Sequence, residues 1–81
     1  MNKLQPTSLL HYDLAIAGMM AEKYGMSRMQ ALRAFITSET HAMLEDAENG
    51  LYAFGAPGIF DMWESEAVTG DPRNSIYIRG E

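Results

Sequence analysis

The chain has 81 residues, with six lysines and arginines against eleven aspartates and glutamates and no cysteine. A chain this short forms one domain that buries only roughly 60 to 65% of its unfolded surface, and the absence of cysteine excludes a disulfide framework and thiolate chemistry. At 47% hydrophobic and 21% charged residues wholesale disorder is excluded, and the acidic balance disfavours nucleic-acid phosphates as a ligand.

Residues 1–6 lack the apolar run and small-residue cleavage site of a signal peptide. The apolar, uncharged window over residues 14–21 is far short of the roughly 20 apolar residues needed to span a bilayer. A cytoplasmic protein without a membrane span is the expectation.

After Pro6, Thr7 or Ser8 is expected to cap a first helix over residues 8–24, with Leu9, Tyr12, Ile16, Met19 and Met20 recurring at helical spacing. Gly25 ends it, because glycine takes the left-handed position after a helix without steric cost, and Lys23 places a cation in the last turn. Ser27 and Gln30 have the spacing of a capping box, which starts a second helix with Met29, Leu32, Phe35 and Ile36 on its apolar face and Arg28 and Arg33 in solvent. Thr37 and Ser38 stand where a chain pauses, and Glu39 suits a new first turn. Residues 28–46 therefore read as one bent helix or as two, the second burying Met43 and Leu44. A turn follows at Glu48, Asn49 and Gly50. Leu51, Tyr52, Ala53 and Phe54 are too few for periodicity to identify, and residues 55–58 interrupt them. A last helix is expected over residues 57–67, with Pro57 in its first turn and Ile59, Phe60, Met62 and Trp63 as its apolar set. Residues 69–72 stop it. The segment 75–79 alternates with period two, as an edge strand, an arm or a frayed tail would.

The expected fold is all-α: a small bundle of three to four short helices in a single domain over residues 1–68, with an extended C-terminal tail or arm over 69–81. Its expected core is Leu9, Tyr12, Ile16, Met20, Leu32, Phe35, Ile36, Leu44, Phe60 and Trp63. Most of the methionines belong there as adaptable filler; the alternative is a re-packable face that pairs two copies of the chain.

Between Arg33 and Arg73 there is no lysine or arginine, whereas Glu39, Glu45, Asp46, Glu48, Asp61, Glu64, Glu66 and Asp71 all fall there. Such a field favours basic partner surfaces. Aromatic residues rimmed by acids have the composition of a binding hot spot, so the candidate partner-binding residues are Glu45, Asp46, Glu48, Tyr52, Phe54, Asp61, Trp63, Glu64 and Glu66.

Other constellations are weaker. His41 and Glu45 share a helix face beside Asp46, but a metal site needs at least three protein ligands with support behind them, and His11 is the one other imidazole. Ser8 near His11 and Asp13, or Ser38 near His41, supplies parts of a catalytic set, but both serines read better as helix caps. Residues 55–58 lack the lysine of a phosphate cradle. A helix-turn-helix over residues 8–36 offers only Arg28 and Arg33 for backbone contacts.

Ala21-Glu22-Lys23-Tyr24-Gly25-Met26-Ser27, Ala31-Leu32, Phe35, Ser38-Glu39-Thr40, Met43-Leu44-Glu45-Asp46 and Gly50-Leu51-Tyr52 together resemble a family of short uncharacterised bacterial helical proteins, often encoded beside toxin-like or mobile-element genes. The resemblance spans roughly residues 14–66, departs at Pro57-Gly58-Ile59, and carries no catalytic residue over. It implies a small helical protein. The functional expectation is a non-enzymatic protein-protein interaction module, antitoxin-like or inhibitor, that binds a basic surface on a toxin or nucleic-acid enzyme and needs no cofactor. The alternatives are a small metal-binding protein or metal-dependent hydrolase using His41, Glu45 and His11, and a homo-oligomeric structural protein; a homodimer is compatible with either class.

Overall fold

A computed structural model describes residues 3–75. Helices α1 (Pro6–Tyr24), α2 (Arg28–Ile36), α3 (Glu39–Glu45) and α4 (Gly55–Thr69) form an all-α bundle, with 3₁₀ turns at Ala47–Asn49, Leu51–Phe54 and Pro72–Asn74. Among the described residues no helix is long and apolar enough to cross a membrane.

Pro6 opens α1 itself, and Gln5 before it makes no side-chain cap, so the expected capping by Thr7 or Ser8 does not occur. Proline needs no such partner, since its φ is already helical and its missing N–H is one that no helix satisfies. Gly25, at φ 68°, closes α1 through its N–H to the Ala21 carbonyl at 3.0 Å. The Ser27 and Gln30 box is present in both directions, each bond at 3.1 Å, and starts α2, which packs back along α1. The chain then breaks into two helices. Thr37 turns its hydroxyl onto the Arg33 carbonyl at 2.8 Å, and Ser38, in extended conformation, accepts the His41 N–H at 3.1 Å to cap α3. A side chain competing for the backbone at 37 and a capping hydroxyl at 38 make a restart cheaper than a continuous bend.

The core joins Ile16, Ala17 and Met20 of α1, Ala31 and Phe35 of α2, Leu44 of α3, Leu51, and Ile59, Phe60 and Met62 of α4. Leu9, Tyr12, Leu32 and Trp63 pack against it while partly exposed. Ile36 does not belong to it: its side chain is 45% exposed. Ala31 and Phe35 take the inward line of α2, and Ile36 lies about 100° further round the helix. Met29, expected on the same face, is exposed for the same reason, whereas Met20 and Met62 are fully buried and Met19, Met26 and Met43 line the core's edge.

Helix α4 starts two residues before the expected Pro57, because Gly55, at φ 73°, makes the entry bend that a residue with a Cβ resists. Beyond it, Asp71 and Ser75 have extended backbone and flank the 3₁₀ turn Pro72–Asn74. Asp71 caps the last 3₁₀ turn by accepting the Arg73 N–H at 2.9 Å, Pro72 and Ser75 are buried, and the turn packs on α4. The rest of the alternating segment lies outside the described residues.

Candidate functional site

The expected contact residues fall into two groups. In the first, Glu45 ends α3 and its carbonyl accepts the Leu4 N–H at 2.8 Å, while Lys3 and Asp46 form an antiparallel bridge. The Asp46 carboxylate accepts the Glu48 N–H at 3.0 Å and caps the next turn, leaving Glu48 exposed. Leu51 is buried and anchors the following turn, whose Tyr52 carbonyl accepts the Tyr12 hydroxyl at 2.5 Å. The Tyr52 and Phe54 side chains are consequently 47% and 38% exposed on a turn fastened from behind. Thr7, Ser8, His11 and Tyr12 line an open groove on the helix that holds it.

The second group, on α4, is engaged within the molecule. Glu66 accepts three hydrogen bonds from the start of α3: the Glu39 N–H at 2.9 Å, the Thr40 N–H at 2.8 Å and the Thr40 hydroxyl at 2.7 Å. A carboxylate there answers both the free amides and the positive end of the helix. Asp61 accepts the Ser75 hydroxyl at 2.5 Å. Glu64 accepts the Lys23 ammonium at 2.5 Å and the Tyr24 hydroxyl. Trp63 stacks on Phe60 with ring centres 6.4 Å apart and meets Tyr24 edge-on at 6.1 Å. Arg73 lies 3.7 Å from Glu39 and 3.3 Å from Asp71.

The acids of the second half therefore do not make one uniform field: Glu48 is exposed beside the Tyr52 turn, Glu45 and Asp46 are half-buried, and Glu39 is exposed at the start of α3 near Arg73. Lys23, Tyr24 and Thr40 enter the site unannounced by sequence spacing, since each meets its α4 partner from 26 to 41 positions away. Partial burial pushes the Glu64 carboxyl up, but hydrogen bonds from Lys23 and Tyr24 and the ammonium charge outweigh it and hold the group below its ordinary value. The same hydrogen bonds to Glu64 raise Lys23 and Tyr24.

Comparison with family models, curated proteins and solved structures gives no match to this chain.

His41 does not join His11. Its Nε2 faces the Asp13 carboxylate of α1 at 3.0 Å, both side chains only 13% exposed, with an approach that departs from hydrogen-bond alignment, and the Phe35 ring stands edge-on to the imidazole at 5.3 Å. Among the described residues no group of three or more His, Cys, Asp or Glu side chains is placed to hold a metal ion. Ser8 and His11 line one groove while Asp13 faces His41, and the Ser38 hydroxyl is spent on the Phe35 carbonyl at 2.6 Å and on the cap of α3.

Burial pushes the Asp13 carboxyl up, opposed by the charge and hydrogen-bonding reach of His41 and reinforced by the negative charge of Glu45. A carboxyl raised in the folded state binds more protons folded than unfolded, so its contribution to stability falls as pH rises past its ordinary 3.8 and through the raised value. Asp13→Asn removes that loss. The melting temperature of the variant, relative to the parent, is expected to climb between pH 3.5 and pH 7; a constant difference across this range contradicts a buried, raised carboxyl.

Proposed function

We propose that this protein is a non-enzymatic protein-protein interaction module, an inhibitor or antitoxin-like protein, which engages a basic surface of a partner such as a toxin or nucleic-acid enzyme. The observation that carries the reading is the fastened turn that holds Tyr52 and Phe54 outward beside Glu48. A turn already ordered in the free protein loses little conformational freedom on binding. Exposed rings beside acids then divide the work: charge speeds encounter and selects a basic partner, and ring burial slows dissociation. Glu45 and Asp46 extend the same acidic edge. Asp61, Trp63, Glu64 and Glu66 contribute field and contact from α4 while also holding the fold.

The test begins with affinity purification of the tagged chain from its own cells and identification of what co-purifies. With that partner purified, Tyr52→Ala combined with Phe54→Ala is expected to weaken binding about 30-fold or more, equivalent to about 2 kcal/mol. Glu48→Lys is expected to slow association, with an effect that shrinks as salt is raised. Circular dichroism of each variant is expected to show the helical spectrum of the parent. Unchanged affinity in the double variant and an unchanged association rate in Glu48→Lys reject the proposal.

A further inference from the structure

The ammonium of Lys23 occupies a setting that is unusual for a surface lysine. It lies 5.5 Å from the centre of the Tyr24 ring and 5.6 Å from that of Phe60, within the range of cation–π attraction, and donates to the Glu64 carboxylate at 2.5 Å. Trp63 backs both rings, stacked on Phe60 with planes 7° apart and edge-on to Tyr24. The Tyr24 hydroxyl also donates to Glu64, which fixes the carboxylate and the ring together. Two aromatic walls, a third ring behind them and one oriented anion are the parts of a receptor for an organic cation.

We propose that Tyr24, Phe60, Trp63 and Glu64 form a cage for the primary ammonium of a lysine side chain presented by a basic partner, and that Lys23 is its built-in, displaceable occupant. The inference rests on the reading of the protein as a partner-binding module and gives that partner a chemistry. Lys23 is exchangeable because it sits at the rim: its side chain is 56% exposed against 21% for Glu64. The approach is open. A groove of about 390 Å³ lined by Met19, Glu22, Lys23 and Phe60 leads to the cage from one side, and a wider one of about 630 Å³ bordered by Tyr24 and Glu64 from the other. Glu22 adds a second carboxylate on the incoming path.

Glu64 selects the kind of cation. A cage made of rings alone favours a quaternary ammonium, which spreads its charge over methyl groups and has no N–H to satisfy. A cage with a carboxylate that accepts from the occupant favours an ammonium that still carries protons. Lys23 shows the second chemistry. The cage also lies apart from the Tyr52 turn: Tyr12, which holds that turn, and Lys23 are eleven residues apart on α1, about 16 Å along the helix axis.

The chain has one tryptophan, so Trp63 fluorescence and its indole NMR resonance report the cage directly. The probes are three acetylated, amidated Gly-X-Gly peptides in which X is lysine, trimethyllysine or norleucine. Because a tethered competitor acts at an effective concentration in the millimolar range or above, the lysine peptide is expected to bind Lys23→Ala at least tenfold more tightly than the parent. The trimethyllysine and norleucine peptides are expected to bind the same variant at least threefold more weakly than the lysine peptide. Adding Glu64→Gln to Lys23→Ala is expected to abolish the preference for lysine, with folding checked by circular dichroism. Equal affinity of the parent and Lys23→Ala overturns the proposal, as does a preference for trimethyllysine or norleucine, or an undiminished preference for lysine once Glu64 is replaced. None of these outcomes involves Glu48, Tyr52 or Phe54, so failure of the cage and failure of the turn as a contact surface are told apart.

Discussion

Phe35→Ala is expected to lower the melting temperature by roughly 12–40 °C, at 4–8 °C per kcal/mol for a domain of this size. Phe35 is among the largest fully buried side chains, and truncating a buried phenylalanine costs about 3–5 kcal/mol in lost transfer energy and residual cavity. Against a total stability of roughly 0.05–0.15 kcal/mol per residue, that is a large share of what an 81-residue chain has. The cavity also sits at a junction, since Phe35 belongs to α2 yet meets His41 of α3 edge-on, with Asp13 of α1 on the imidazole's far side. Little is available to collapse into the space, because the neighbouring polar pair gains nothing from an apolar hole. Ile36→Ala provides the contrast. The two residues are adjacent on a face that hydrophobic spacing alone treats as one, but the exposed Ile36 is expected to cost under about 1 kcal/mol. Thermal melts of both variants check this; similar losses contradict the inward line through Ala31 and Phe35.

That contrast marks where sequence reasoning reaches its limit. Signals that act within a few residues are legible: the box of Ser27 and Gln30, the left-handed Gly25, and the cap at Ser38 are chemical requirements of the local backbone. The set of apolar residues is legible too, and so is the all-α class. The direction each helix turns its apolar stripe is less so. Rotation of α2 is decided by what α1 and α3 present to it, and it buries the small Ala31 in preference to Ile36 or Met29. Partner choice among charges is the least legible. Glu64 reads as one more acid in a cation-free stretch until the fold brings Lys23 to it, and Glu48 differs from Glu66 only in what stands opposite. Of the expected contact residues, Tyr52, Phe54 and Glu48 face outward because a buried Leu51 and a tyrosine 40 positions away hold their turn; nothing in the local pattern marks that.

Glu66→Gln is expected to destabilise the fold by roughly 2–4 kcal/mol, given that hydrogen bonds to charged groups are worth about 1.5–3 kcal/mol each and overlap when shared by one side chain. The carboxylate uses both oxygens, one for the Glu39 N–H and one for the Thr40 N–H and hydroxyl. Glutamine keeps one acceptor, and its amide NH₂ turns donors toward donors at the other position. Water is a poor substitute, because Thr40 has no exposed surface, and α3 is only seven residues long, so it lacks the length to persist without its anchor. Urea unfolding measures the loss, and Thr40→Val supplies the second arm of a cycle. The two substitutions are expected to be non-additive by about 1 kcal/mol or more, as for any pair in direct contact. Salt separates this role from that of a surface charge: the loss persists at 0.5 M salt if the carboxylate acts through its partly buried hydrogen bonds, where the screening length falls to roughly 4 Å. A Glu66 that merely adds to an acidic surface gives a small loss that salt removes, and its reversal to lysine is then tolerated as well as that of Glu48. Should Glu66 prove structural, charge reversal at Glu66 reports on folding, and recognition at the Tyr52 turn is read from Glu48, where an altered charge leaves the helices in place.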